Sequence, residues 1–176
     1  MSDFRAGVRD IVAAVLQRRL PELGGRVFRA RDWPMQESEV TAALVYGYEE
    51  EKTLTDQQSE TYAVACTMAV QIKTEAASRR SVEVEAELER FCEAVCIAVM
   101  TAPELLDPDT GRIERIAGVK TTLNIDARSG ERALGQALIA FDLRWHEIYR
   151  LPPPVIDCEQ PVLFFRVTPD PSAAAP

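Results

Sequence analysis

Tyr62-Ala63-Val64-Ala65-Cys66-Thr67-Met68-Ala69-Val70-Gln71-Ile72 is the stretch from which the fold is read. Its larger apolar side chains, Tyr62, Val64, Cys66, Met68, Val70 and Ile72, all occupy even positions, and small or polar residues occupy the odd ones. A period of two held over about five repeats is a strand with one buried face, because a helix would repeat its apolar positions every three to four residues. Upstream, Thr41 to Tyr48 reads as another strand, carrying Leu44, Val45, Tyr46 and Tyr48 into Glu49-Glu50-Glu51; the polar run from Lys52 to Glu60 reads as a loop or long hairpin connection. Downstream, Ser81 opens a helix with Glu83 and Glu85 at its positive end. Its stripe of Val84, Leu88, Phe91, Cys92, Val95 and Val99 continues to about Thr101, before Pro103.

The same reading extends to both ends. Residues 3–20 form an amphipathic helix capped by Ser2 or Asp3, with Phe4, Val8, Ile11, Val12, Val15 and Leu16 on one stripe; Pro21, Gly24 and Gly25 end it. Arg26 to Arg31 is a short strand candidate that turns at Asp32-Trp33-Pro34. Two strands follow the second helix. Arg115 to Ile125 places Val119, Thr121, Leu123 and Ile125 on one face, and Arg132 to Tyr149 aligns Ile139, Phe141, Leu143, Trp145 and Tyr149. The polar, Gly-containing Asp126 to Glu131 joins them as a hairpin. Strands in adjacent runs with two segregated helices predict an α+β fold: an antiparallel or mixed sheet with both amphipathic helices on one face and a long hairpin near the C-terminus.

Residues 1–151 are read as one domain, in keeping with the ~150 residues typical of a single core. From Leu151 the composition changes. Seven of the eleven prolines lie in residues 152–176, which excludes a regular central strand there. That segment is read as a tail, whose apolar Val162 to Val167 is a candidate edge strand for this subunit or a neighbour. No internal repeat is present.

The 176 residues include 28 acidic and 20 basic ones, for a formal net charge of −8, with four cysteines and a single histidine. Basic residues scattered along an acidic chain disfavour a dedicated nucleic-acid-binding module. No run approaches the ~18 apolar residues of a membrane span, and the N-terminus lacks a signal-peptide plan, so a cytoplasmic protein is expected. Phosphate loops, dinucleotide fingerprints, nucleophile elbows and zinc-protease motifs are all missing from the sequence. Cys92 and Cys96, at i and i+4 on the second helix, invite a zinc site completed by Cys66, His146 or Cys158, but Cys92 belongs to the apolar stripe and Cys66 to a buried strand face. Both are read as core, with no cofactor or metal assigned. His146 follows Trp145 on the opposite face with no motif to orient it, and is read as a surface or interface residue. Glu83, Glu85, Glu87 and Glu89 cannot converge and are read as a solvated face; Glu49-Glu50-Glu51, where a strand leaves the sheet, is read as a solvent-exposed loop, the alternative being a site for a divalent cation or a face toward a basic partner surface.

The order of an N-terminal helix, Gly25 to Arg31 followed by Pro34, an extended Ala43-Leu44-Val45-Tyr46, the Tyr62 to Ile72 strand, a Glu-rich helix and a closing hairpin through Gly130 resembles the tail terminator proteins of long-tailed bacteriophages, the minor tail protein U group. The resemblance spans about residues 4–150. It departs where Glu39 to Leu44 lacks a proline and where the tail extends past Leu151. The resemblance implies no enzyme. It implies a subunit of a hexameric ring that caps the tail tube, ends its polymerisation and offers the surface joining the head, acting in the host cytoplasm and then at the head-proximal end of the virion tail. Its partners would be further copies of itself, the tube protein and a head–tail joining protein, with DNA only in passage past an acidic wall and no membrane. A ring requires one patch to meet a different one on the next copy. Candidate interface residues are Tyr48, Glu49, Glu50 and Glu51 on one side, and Asp126, Arg128 and Arg132 at the hairpin. The alternatives are another neck or tail-completion subunit, and a small cytoplasmic enzyme or metal-binding domain built on Cys92, Cys96 and His146.

Overall fold

A computed structural model describes residues 3–29, 41–56, 60–75, 81–107, 111–126 and 134–149. In chain order its elements are α1 (Asp3–Arg19), a 3-10 turn (Pro21–Leu23), β1 (Val27–Phe28), β2 (Thr41–Asp56), β3 (Thr61–Glu75), α2 (Ser81–Met100), the four-residue α3 (Pro103–Leu106), β4 (Arg115–Asp126) and β5 (Leu134–Ile148). The strands form one five-stranded mixed sheet in the order β1-β2-β3-β5-β4, in which β1 runs parallel to β2 and every other pairing is antiparallel. The fold is α+β, with the two main helices on one face of the sheet and the β4–β5 hairpin near the C-terminus.

β3 sits at the centre because its alternation lets one face turn fully inward. Val64, Cys66, Met68, Val70 and Ile72 are buried on the helix side, facing Val8, Val12, Val15 and Leu16 of α1 and Val84, Leu88, Phe91 and Val95 of α2 across the core. β5 matches it, with Ala137, Ile139, Phe141, Leu143 and Trp145 on the same face. Side chains as deeply buried as Leu16 and Phe141 contribute about 1.5–3 kcal/mol each, which makes this layer the main source of stability. Two local features set how closely the layers approach. A Cβ at Gly135 would meet Val84 Cγ1 at 2.4 Å, so the missing side chain lets α2 rest directly on β5. Arg19 donates from Nη1 to the Ala98 carbonyl (3.2 Å) and to Thr101 Oγ1 (2.6 Å), placing a cation at the negative end of α2 and locking the helices together.

Helix α1 ends close to the expected place. Leu20 breaks the pattern, and Gly24 and Gly25 take positive φ values of 56° and 79°, a backbone path that carries a Cβ poorly. Other expectations are corrected. Lys52 to Asp56 is no loop: β2 continues through it, paired with β3 down to Thr61. The described part of the Arg26 to Arg31 candidate is only Val27–Phe28 in length as a strand; the turn at 32–34 lies outside the described residues. Tyr149 stands just beyond β5 and is exposed, not on the buried row. The face predicted for β4 is correct in its parity, yet Val119 and Leu123 stay 37% and 36% exposed because β4 is an edge strand. α3 was not anticipated; it buries Leu105, whose carbonyl accepts from the N–H groups of Arg112 and Ile113 at 3.0 Å each. The hairpin tip and the tail, with the strand candidate at 162–167, lie outside the described residues. Among the described residues no helix is long and apolar enough to cross a membrane.

Candidate assembly surface

The functional residues read from the sequence fall on the two sides of the sheet. Tyr48 stands in a β-bulge, where the β2–β3 register shifts between Gly47 and Glu49, and is 62% exposed. A bulge adds one residue to one strand and so exchanges which parity faces which way. Above it Ala43 and Val45 point to the helices; below it Glu50, Lys52 and Leu54 do, opposite Cys66, Val64 and Tyr62. The acidic triplet is therefore strand, not loop, and the pleat splits it. Glu49 and Glu51 are exposed on the face away from the helices, while Glu50 turns under the N-terminus of α1. Asp126 ends β4 on the opposite edge, so the two candidate groups are not brought together within one chain; Arg128 and Arg132 lie outside the described residues.

The turned-in Glu50 belongs to a polar network at the end of the sheet bordered by the N-terminus of α1. Arg5 Nε lies 3.8 Å from Glu50, and Lys52 Nζ lies 3.4 Å from Glu50 and donates to Glu147 at 2.6 Å. Lys52 also meets the Tyr149 hydroxyl, which in turn donates to Glu147, and Trp145 Nε1 donates to the other Glu147 oxygen at 2.9 Å. Phe4 stacks beside Trp145 with centroids 5.2 Å apart, and Tyr62 meets Tyr149 edge-on at 5.4 Å. Burial alone would raise the Glu147 pKa; the hydrogen bonds from Lys52, Tyr149 and Trp145 together outweigh it and hold the carboxyl at about 2. Desolvation opposes the charge on Lys52 as well, and its contacts with Glu147 and Tyr149 reverse that and hold the ammonium above its ordinary value. Both groups stay charged at neutral pH, so the network braces the sheet and supplies neither a free base nor a free acid.

The face away from the helices carries a shallow hollow of about 480 Å³. Ala65, Thr67, Gly118 and Ala140 form its floor, and Glu49, Glu51, Lys120, Asp142 and Arg144 its rim. Arg144 and Asp142 pair at 2.8 Å. His146 is exposed on this same face and bonds through Nδ1 to Glu114, a carboxylate that sequence reading missed because only the β4–β5 register brings it there. Cys92 and Cys96 lie on α2, on the other side of the sheet from His146, so these three do not form one constellation; Cys158 lies outside the described residues. Burial pushes the thiols of Cys66 and Cys92 up to about 11, and that of Cys96 upward, leaving them protonated and unreactive near neutrality. Among the described residues no three His, Cys, Asp or Glu side chains are grouped to hold a metal ion. No known family model matches the chain, and no curated protein matches it.

The signals that sequence reading overlooked are specific. A glycine followed by an exposed aromatic at Gly47-Tyr48 marks the change of parity. Arg115 and Lys120, the two basic residues on the open face of β4, were read only as strand positions.

Proposed function

We propose that this chain is a structural assembly protein of the tail terminator type: copies of it close into a ring, hexameric by the resemblance, that caps a phage tail tube, ends tube polymerisation and offers the head-joining surface. The observation that carries the reading is a subunit with a finished core and an unfinished sheet. One face is sealed by α1 and α2; the other is buried at Ala42, Leu44 and Ala69 but exposed at Glu49, Glu51, Thr53, Lys120 and His146, and no described strand pairs with the outer side of β4. Such surfaces suit a protein whose work is contact with its own copies and with the tube and joining proteins. The outer side of α2, with Glu83, Glu85, Glu89 and Glu93 exposed, suits a wall past which DNA moves without being held. Its sites of action would be the host cytoplasm and then the head-proximal end of the virion tail. The second reading, a neck or tail-completion subunit, shares the same surfaces and differs in the structure it binds.

The deciding experiment adds the purified protein to tail-tube protein as it polymerises and measures tube lengths by electron microscopy. Shorter tubes with a ring of density at one end are the expected result. Unchanged tube lengths, with binding to head-side connector proteins instead, would favour the neck reading; no binding to either would overturn both.

A further inference from the structure

We infer that the ring is built by strand pairing between copies, with the β4 edge of one subunit joining the Glu49–Thr55 edge of β2 in the next. This deepens the ring reading and rests on it for the closed order of copies. Among the described residues the two edges are open in complementary ways. β4 ends the sheet on one side; on the other, β1 covers β2 only at Ala43 and Leu44, and no strand of the described residues pairs with the outer side of residues 49–55. An uncovered strand edge is a template for another strand.

Charge then selects which edges meet. The row across the open face through Glu51, Ala65, Arg144 and Arg115 starts with an acid on β2 and ends with a base on β4. Glu49 and Lys120 repeat that polarity in neighbouring rows, and Glu49, Glu51, Arg115 and Lys120 are all exposed, with no ion pair among the described residues. A two-fold dimer through β4 would bring Arg115 and Lys120 against their own copies, and one through β2 would oppose Glu49 and Glu51, both unfavourable. The head-to-tail junction instead meets acid with base. Topology agrees. β2 and β5 run one way and β3 and β4 the other, so copies facing the same direction bring β4 against β2 antiparallel, with the open faces continuous. To clear β1 and lie along residues 49–55, β4 slides by four residues from the level rows, which sets Lys120 opposite Glu51 of the next copy.

The test uses two full-length variants, Glu49→Lys with Glu51→Lys, and Arg115→Glu with Lys120→Glu, compared with the wild type by sedimentation velocity and native mass measurement. Each variant alone carries like charges on both edges and is expected to associate at least about tenfold more weakly. Mixed in equal amounts, every junction again pairs opposite charges, so assemblies of alternating copies are expected to return. Thermal melts matching the wild type show that the variants fold. Assembly of either variant at wild-type strength, or a mixture that stays unassembled, overturns the pairing. So does a wild type that remains monomeric at millimolar concentration. A concentration-independent loss of thermal stability in Arg115→Glu with Lys120→Glu assigns the β4 edge to a segment of the same chain, residues 162–167 among the candidates, and also overturns it. Tubes capped normally by both variants would leave the terminator reading standing without this interface. Edge-paired rings that leave tube lengths unchanged would leave the interface standing without that reading.

Discussion

The two halves of β2 differ sharply: the first is buried and the second is mostly exposed. From Thr41 to Val45 the strand is buried on both faces, flanked by β1 and β3, and the buried hydroxyl of Thr41 is satisfied by that of Thr74 across on β3 at 3.1 Å. From Glu49 to Asp56 no described strand lies along the outer side of the same strand, which alternates exposed acids with a half-buried network. One continuous backbone therefore serves as core at one end and as surface at the other. The change falls at a single bulge, which shows that a strand can be reassigned by one extra residue without being broken.

The sharpest way to break that contrast is to make the same substitution on both sides of the bulge. Leu44→Ala should cost about 3 kcal/mol in urea unfolding, because a fully buried leucine leaves a cavity. Leu54→Ala, at a side chain already 41% exposed, should cost under about 1 kcal/mol. Similar costs would show that the two halves are equally embedded.

A smaller effect is expected at the network. Lys52→Met removes the donor facing Glu147 and should lower stability near neutral pH by about 2 kcal/mol. The sign with pH follows from the carboxyl. Because the folded pKa of Glu147 is held at about 2, its contribution is complete above the unfolded value near about 4.3 and fades as pH falls through that window. The stability gap between wild type and Lys52→Met should therefore narrow on acidification from about pH 5 to about pH 2, and a gap of constant size would contradict the network. The smallest change should come from Glu49→Gln with Glu51→Gln: within about 0.5 kcal/mol in unfolding, yet measurable as weaker self-association.

How much of this was legible follows from what each signal needs. β3, β5 and the stripes of α1 and α2 rest on a short period repeated without interruption, so residues such as Met68, Phe141 and Leu88 announce their burial locally. β2 below Gly47 was missed because the bulge inverts its parity just where an edge strand becomes polar, and a polar run of changed phase looks like a loop. The partners of Lys52 were out of reach for another reason: Glu147 lies 95 residues away, and only the combined registers of β2, β3 and β5 bring the two together. The open face was hidden by its small residues, since Ala63, Ala65 and Ala140 carry little preference for either side of a sheet.

The Lys52–Glu147 contact also has a mechanical meaning. It joins β2 to β5 by reaching over β3, between Tyr62 and Val64, at the end of the sheet that Phe4 and Arg5 of α1 border. A force applied between the outer edges has to pass from strand to strand through single ladders of hydrogen bonds. Here it meets a cross-brace spanning two ladders at once, so this end of the sheet resists splaying and sliding as a stiffened plate.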